Sequence, residues 1–101
     1  MMKISALLER LEYTCLQGSL EKEILQVEYD SRKTGEGALF VCIRGAAADG
    51  HKFAAQAAEK GAAALVVEEP VDVPEEVTVI QVRDSRFALA VLSAAWFVYP
   101  A

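Results

Sequence analysis

The sequence predicts a three-layer α/β/α domain around a mostly parallel or mixed sheet of about four to five strands. Three observations carry this expectation. Two runs, ALFVCI at 38–43 and AALVVE at 63–68, are apolar almost throughout, as strands covered on both faces are. Between them, residues 51–60 hold Phe53, Ala54, Ala57 and Ala58 at helical spacing, so strand, helix and strand read as one parallel crossover, right-handed by rule. A further apolar run, VTVIQV at 77–82, leads straight into a long apolar helix.

The elements follow in order along the chain. Residues 1–11 put Ile4, Leu7, Leu8 and Leu11 on one helical face, with Ser5 as a cap. Gly18 and Ser19 mark a loop. EILQVEY at 23–29 alternates, which predicts a half-buried strand with Leu25, Val27 and Tyr29 on the inner face. A polar corner with Gly35 and Gly37 precedes the strand at 38–43, and residues 44–50 form a loop after it. Asp49 is placed to cap the helix at 51–60, and Gly61 to end it in a left-handed conformation. Residues 70–76 read as a solvated loop, because the acids Glu68, Glu69, Asp72, Glu75 and Glu76 flank two prolines. Asp84 caps the last helix, which runs to about Tyr99, where Pro100 stops it. That helix has almost no polar face, so it wants cover that a domain of this size does not supply. The chain therefore reads as a single domain, 1–101, cut from a longer protein, with a neighbouring domain meant to meet the last helix.

Composition narrows the function. With 53% apolar residues, 101 positions make one core. A net charge of −5 offers no basic field for nucleic acid. No apolar stretch is long enough for a membrane span, and no secretory signal opens the chain. Cys15 and Cys42 do not form a disulfide framework, and Cys42 lies inside an apolar strand, which fits a reducing, cytoplasmic setting. His51 is alone, with no second histidine and no cysteine or carboxylate at ligand spacing, so it reads as a helix-start residue. There is no G-x-x-x-x-G-K-[ST] loop to hold ATP. No catalytic residue and no metal site is expected.

The stretch YDSRKTGEGALFVCIRGAAADGH at 29–51 brackets one interior strand with two polar, small-residue corners. One reading is plain turn chemistry, with Asp30 and Ser31 bonding nearby main chain. The repeat of Asp-Ser-Arg at 84–86, where it reads as a helix cap, supports that. The other reading is the lip of a ligand site, since open α/β sheets bind ligands beyond the carboxyl ends of their strands. Ser31 would supply a hydroxyl, the 44–48 loop main-chain groups, and Arg32 a fork for phosphate.

The succession YDSRKTGEGALFVCIRG, ADGHKFAAQAAEKGAAALVVEE and VIQVRDSRFALAVLSAAWFVYP resembles the N-terminal domain of the Mur ligases, most closely the MurE type, from about Val27 to Pro100. The resemblance implies a cytoplasmic, ATP-dependent amide ligase of peptidoglycan synthesis. Such a ligase adds meso-diaminopimelate or L-lysine to UDP-N-acetylmuramoyl-L-alanyl-D-glutamate. It also implies that ATP, magnesium and the amino-acid pocket belong to a central ATPase domain and a C-terminal domain outside this chain. The N-terminal domain would hold the UDP end of the substrate. By position, Ser31 matches the family's serine beside the uridine, Tyr29 an apolar neighbour of the same group, and Ala46, Ala47 and Ala48 the loop that completes the cradle. Asp30, Arg32 and Gly45 are further candidates. Position 46 departs from the bulkier or polar residue of many relatives, so it offers main chain and a methyl group alone. The alternatives are a MurF-type ligase adding D-Ala-D-Ala and a stand-alone nucleotide-binding or regulatory module.

Overall fold

The alternation inside the apolar runs shows why they are apolar at every position. In the computed structural model, which describes residues 2–45 and 49–98, Leu39 and Val41 face one hydrophobic layer while Phe40 and Cys42 face another. The same holds for Ala64 and Val66 against Leu65 and Val67. A strand with cover on both sides has no use for polar side chains. Each large side chain buried in this way contributes about 1.5–3 kcal/mol.

The described elements are β1 (Met2–Lys3), α1 (Ile4–Leu7), β2 (Thr14–Gln17), β3 (Glu23–Ile24), β4 (Gln26–Glu28), β5 (Ala38–Val41), α2 (Ala54–Glu59), β6 (Ala64–Val67), β7 (Thr78–Gln81) and α3 (Ser85–Val98). Short 3₁₀ turns lie at Ser31–Lys33 and Gly50–Phe53. The main sheet has five strands in the order β2-β7-β6-β5-β4. β4, β5, β6 and β7 run parallel, and β2 is antiparallel at the far edge. α1 and α3 cover one face, with Ile4, Leu7, Leu8, Ala88 and Leu92 in the core. α2 covers the other through Ala54 and Ala57, helped by Val71 and Val73 from the loop before β7. The expected three-layer fold with a mixed sheet is present.

Four local expectations need correction. The first helix is only Ile4–Leu7; Met2–Lys3 instead pairs with β3, and the cap position is Lys3 without a side-chain bond, not Ser5. The single strand expected at 23–29 is two, because the chain changes partner at Leu25, from β1 to β5. Leu25 turns outward, 52% exposed, and lies over Gly37, where a Cβ would come within 2.8 Å of it. Tyr29 is also exposed, and Ile24 takes the core position instead. The helix expected at 51–60 begins as the 3₁₀ turn Gly50–Phe53 and becomes α-helical only at Ala54. Finally, Glu68 is no solvated loop acid: its carboxylate receives Ser85 N at 2.8 Å and Ser85 Oγ at 2.9 Å.

Other expectations hold. Asp49 accepts the His51 N–H, Gly61 ends α2 at φ +100°, and Asp84 caps α3 through Arg86 N and Phe87 N. The outer face of α3 is uncovered, with Phe87 61% exposed. Among the described residues no helix is long and apolar enough to cross a membrane.

Candidate functional site

Parallel strands bring their exits to one edge of the sheet, where Tyr29–Lys33, Cys42–Gly45, Asp49–Gly50, Glu68–Glu69 and Val82–Ser85 gather. A cleft of about 480 Å³ opens there between the exits of β4 and β5. One wall is the corner Tyr29, Asp30, Ser31 and Arg32; the other is Ile43 and Gly50, with Phe40 beneath. Phe53 and Gln56 close it from the α2 side.

The corner is held by its own polar groups. Glu28 Oε1 accepts Tyr29 N and Asp30 N at 3.1 and 3.3 Å. Asp30 accepts Arg32 N at 2.9 Å and the guanidinium at 3.1 and 3.0 Å, a two-point pairing. That pairing, led by the Arg32 side-chain bond, holds the Asp30 carboxyl below its ordinary range and pushes Arg32 up. The fork expected to meet a phosphate is thus already paired within the corner. Thr34 Oγ1 donates to Asp30 O at 3.2 Å, and Lys60 Nζ to Ser31 O at 2.9 Å.

Ser31 differs from its neighbours. It is 9% exposed, one of four buried polar residues among those described, with Thr34, Thr78 and Ser85. The other three hydroxyls donate to protein acceptors at 3.2, 2.7 and 2.9 Å. The Ser31 hydroxyl has no partner among the described residues, yet it is not a sealed polar atom, so its open side is the cleft. Asp30 therefore fits the turn reading and Ser31 does not.

The opposite wall depends on close backbone contact. Gly50 N donates to Ile43 O at 2.7 Å, and a Cβ on Gly50 would lie 2.6 Å from Ile43 N. Arg44 and Asp49 form a bridge at the neck of this loop. Gly45 is exposed and does not line the cleft; Ala46, Ala47 and Ala48 lie outside the described residues.

His51 locks the neck to β6. Glu68 N donates to its Nε2 at 2.9 Å, which leaves the proton on Nδ1 to bond Asp49 Oδ1 at 2.7 Å. The His51 main-chain N–H, then its ring, hold the Asp49 carboxyl below its ordinary range. Asp49, His51 and Glu69 come within 4.8 Å of one another, a grouping that chain spacing did not reveal. They do not fit a cation: both ring nitrogens are engaged, and Arg44 reaches Asp49, Glu68 and Glu69 at 3.6, 3.5 and 3.1 Å. Cys42, fully buried, has its thiol pushed up to about 12 by burial and is inert as a nucleophile.

Phe53 was missed as a site residue. Its helical spacing with Ala54, Ala57 and Ala58 suggested core. Phe53 lies in the 3₁₀ turn ahead of α2, not on the helix face that Ala54 and Ala57 bury, and is 37% exposed at the cleft.

Residues 23–97 match the model of the Mur ligase family, catalytic domain. The chain is 42% identical over 99 residues to the UDP-N-acetylmuramoyl-L-alanyl-D-glutamate--2,6-diaminopimelate ligase of Clostridium perfringens, covering 98% of this chain and 20% of that one. To the enzyme of the same name from Bacillus licheniformis it is 47% identical over 100 residues, again covering 98% and 20%. Among solved structures, MurF from Acinetobacter baumannii superposes with a TM-score of 0.79 at 28% identity, covering 92% of this chain and 20% of that one. The chain spans about one fifth of the length of the curated relatives it matches.

Proposed function

Because this chain belongs to the Mur ligase family, we propose that its cleft holds the UDP end of UDP-N-acetylmuramoyl-L-alanyl-D-glutamate for a cytoplasmic, ATP-dependent ligase that adds diaminopimelate in peptidoglycan synthesis. The observation that carries this is Ser31, a largely buried residue whose hydroxyl opens on the cleft and has no partner among the described residues. A hydroxyl with one open side bonds water when the cleft is empty, and can exchange that water for a ligand group. A uridine supplies both donors and acceptors for such a group. Tyr29 and Phe53, both exposed at the cleft, offer faces to a flat ring. Gly50, seated against Ile43, lines the cleft with main chain.

The role is positioning. Binding energy from an unreactive end of a substrate orients its reacting end. The chemistry itself would lie in the rest of the ligase: this sequence has no phosphate loop, and the Asp49–His51–Glu69 group does not fit magnesium. The chain is then the N-terminal, substrate-holding unit, and the central ATPase domain would pack on the apolar groove between α1 and α3, near Leu7, Phe87 and Val91. The diaminopimelate reading is favoured over the MurF type because the curated relatives quoted share 42% and 47% identity and the MurF structure 28%.

The test is a titration with UDP followed by amide NMR, which reads weak binding. Shifts are expected at residues 29–34 and 50–53. Ser31→Ala should weaken binding by about 1 kcal/mol, roughly fivefold, the scale of one neutral hydrogen bond. Equal affinity in the variant would remove Ser31 from the site, and shifts confined to other residues would remove the cleft.

A further inference from the structure

We infer that Lys60, which does not line the cleft, is a positioning residue that sets the Ser31 hydroxyl in place; this rests on the reading of the cleft as a nucleotide site. Lys60 closes the last turn of α2, its N–H bonded to the carbonyls of Gln56 and Ala57 at 3.1 Å. The next residue, Gly61, is seated against the segment that follows the Ser31 corner. Its carbonyl accepts Gly37 N at 2.9 Å, and a Cβ on it would lie 2.9 Å from Glu36 Cα. The end of α2 is therefore a fixed platform beside the corner.

From that platform the Lys60 ammonium reaches Ser31 O at 2.9 Å. The other donor to that carbonyl, Thr34 N, is at 3.4 Å, a long bond. The ammonium is the stronger partner, because charge-assisted bonds are about twice as strong as neutral ones. No ion pair competes for Lys60 among the described residues. Holding the Ser31 carbonyl holds the plane of the 31–32 peptide; with Ser31 also restrained in the 3₁₀ turn, rotation about its Cα–C bond is limited, and so is the direction in which the side chain leaves the backbone. A cation at a helix carboxyl end is also favourably placed. The arrangement couples Ser31 to the end of α2, and Lys60 acts on the ligand through Ser31.

The test compares wild type, Lys60→Met and Lys60→Arg. Methionine keeps an apolar stem of similar length, and arginine keeps a charged donor. Without ligand, Lys60→Met should shift the Arg32 and Thr34 amides, and Lys60→Arg should largely restore them. With UDP, Lys60→Met should bind more weakly by up to about fivefold, the ceiling set by loss of the Ser31 hydroxyl bond itself, with recovery in Lys60→Arg. A merely stabilising lysine would lower the melting temperature of Lys60→Met without changing UDP affinity below that transition, and that result overturns the inference. So do unmoved Arg32 and Thr34 amides. If wild type itself fails to bind UDP, the nucleotide reading falls first, and the ligand-free amides decide whether Lys60 orients Ser31.

Discussion

The site turns on how single residues are supported. Asp30 and Arg32 satisfy each other, while Ser31 between them is left facing the cleft. Gly50 is required for a different reason. Its backbone is not in the left-handed region, but its Cα passes so near Ile43 that a methyl group would strike main chain at 2.6 and 2.9 Å, which cannot rotate away as a side chain would. Gly50→Ala should therefore cost about 1–3 kcal/mol of stability, the range for overpacking. It should also displace the Ile43–Gly50 wall. Thermal denaturation together with UDP titration checks both, and a variant as stable as wild type would refute the close contact. At this scale the sequence was informative about Ser31, whose Asp-Ser-Arg setting drew notice. It was silent about Lys60 and Gln56, since nothing in their spacing reveals what a long side chain reaches across the fold.

Elements were legible in proportion to their burial. The fully covered strands β5 and β6 announced themselves as unbroken apolar runs, and α3 by its Asp84 cap. β2 did not, because an edge strand has little to bury: Thr14, Cys15 and Leu16 are exposed. The break between β3 and β4 was hidden for a related reason. Alternation records that a strand is half covered, not when it changes partner. The cap of α3 gives a direct prediction. Asp84 receives Arg86 N at 3.0 Å and Phe87 N at 3.1 Å, so Asp84→Ala should cost about 1 kcal/mol. Asp84→Asn should recover most of that loss. Equilibrium unfolding in urea measures both. Equal loss in the two variants would point to charge instead of the cap bonds.

Over the whole molecule, the low-set carboxyls collect at the strand exits. Asp30, Asp49 and Glu68 are all lowered, Glu68 chiefly by the Ser85 N–H. A lowered folded value means that the charged form is favoured in the folded state. For Glu68 the stabilisation is present above the ordinary value of 4.5 and is lost as pH falls through the lowered folded value. Acid should thus destabilise the fold through the strand exits, and Glu68→Gln should flatten the dependence of melting temperature on pH below 4.5. A Glu68→Gln curve parallel to wild type would assign the acid sensitivity elsewhere. The fold class was readable because it follows from coverage of the sheet, and the shared edge because parallel strands end together; which exits are neighbours was not, because it depends on strand order. That order also has a temporal side. β2 comes early in the chain, yet its partner is β7. During synthesis, its backbone donors leave the ribosome long before the strand that answers them, and must stay solvated until nearly all of the sheet has been made.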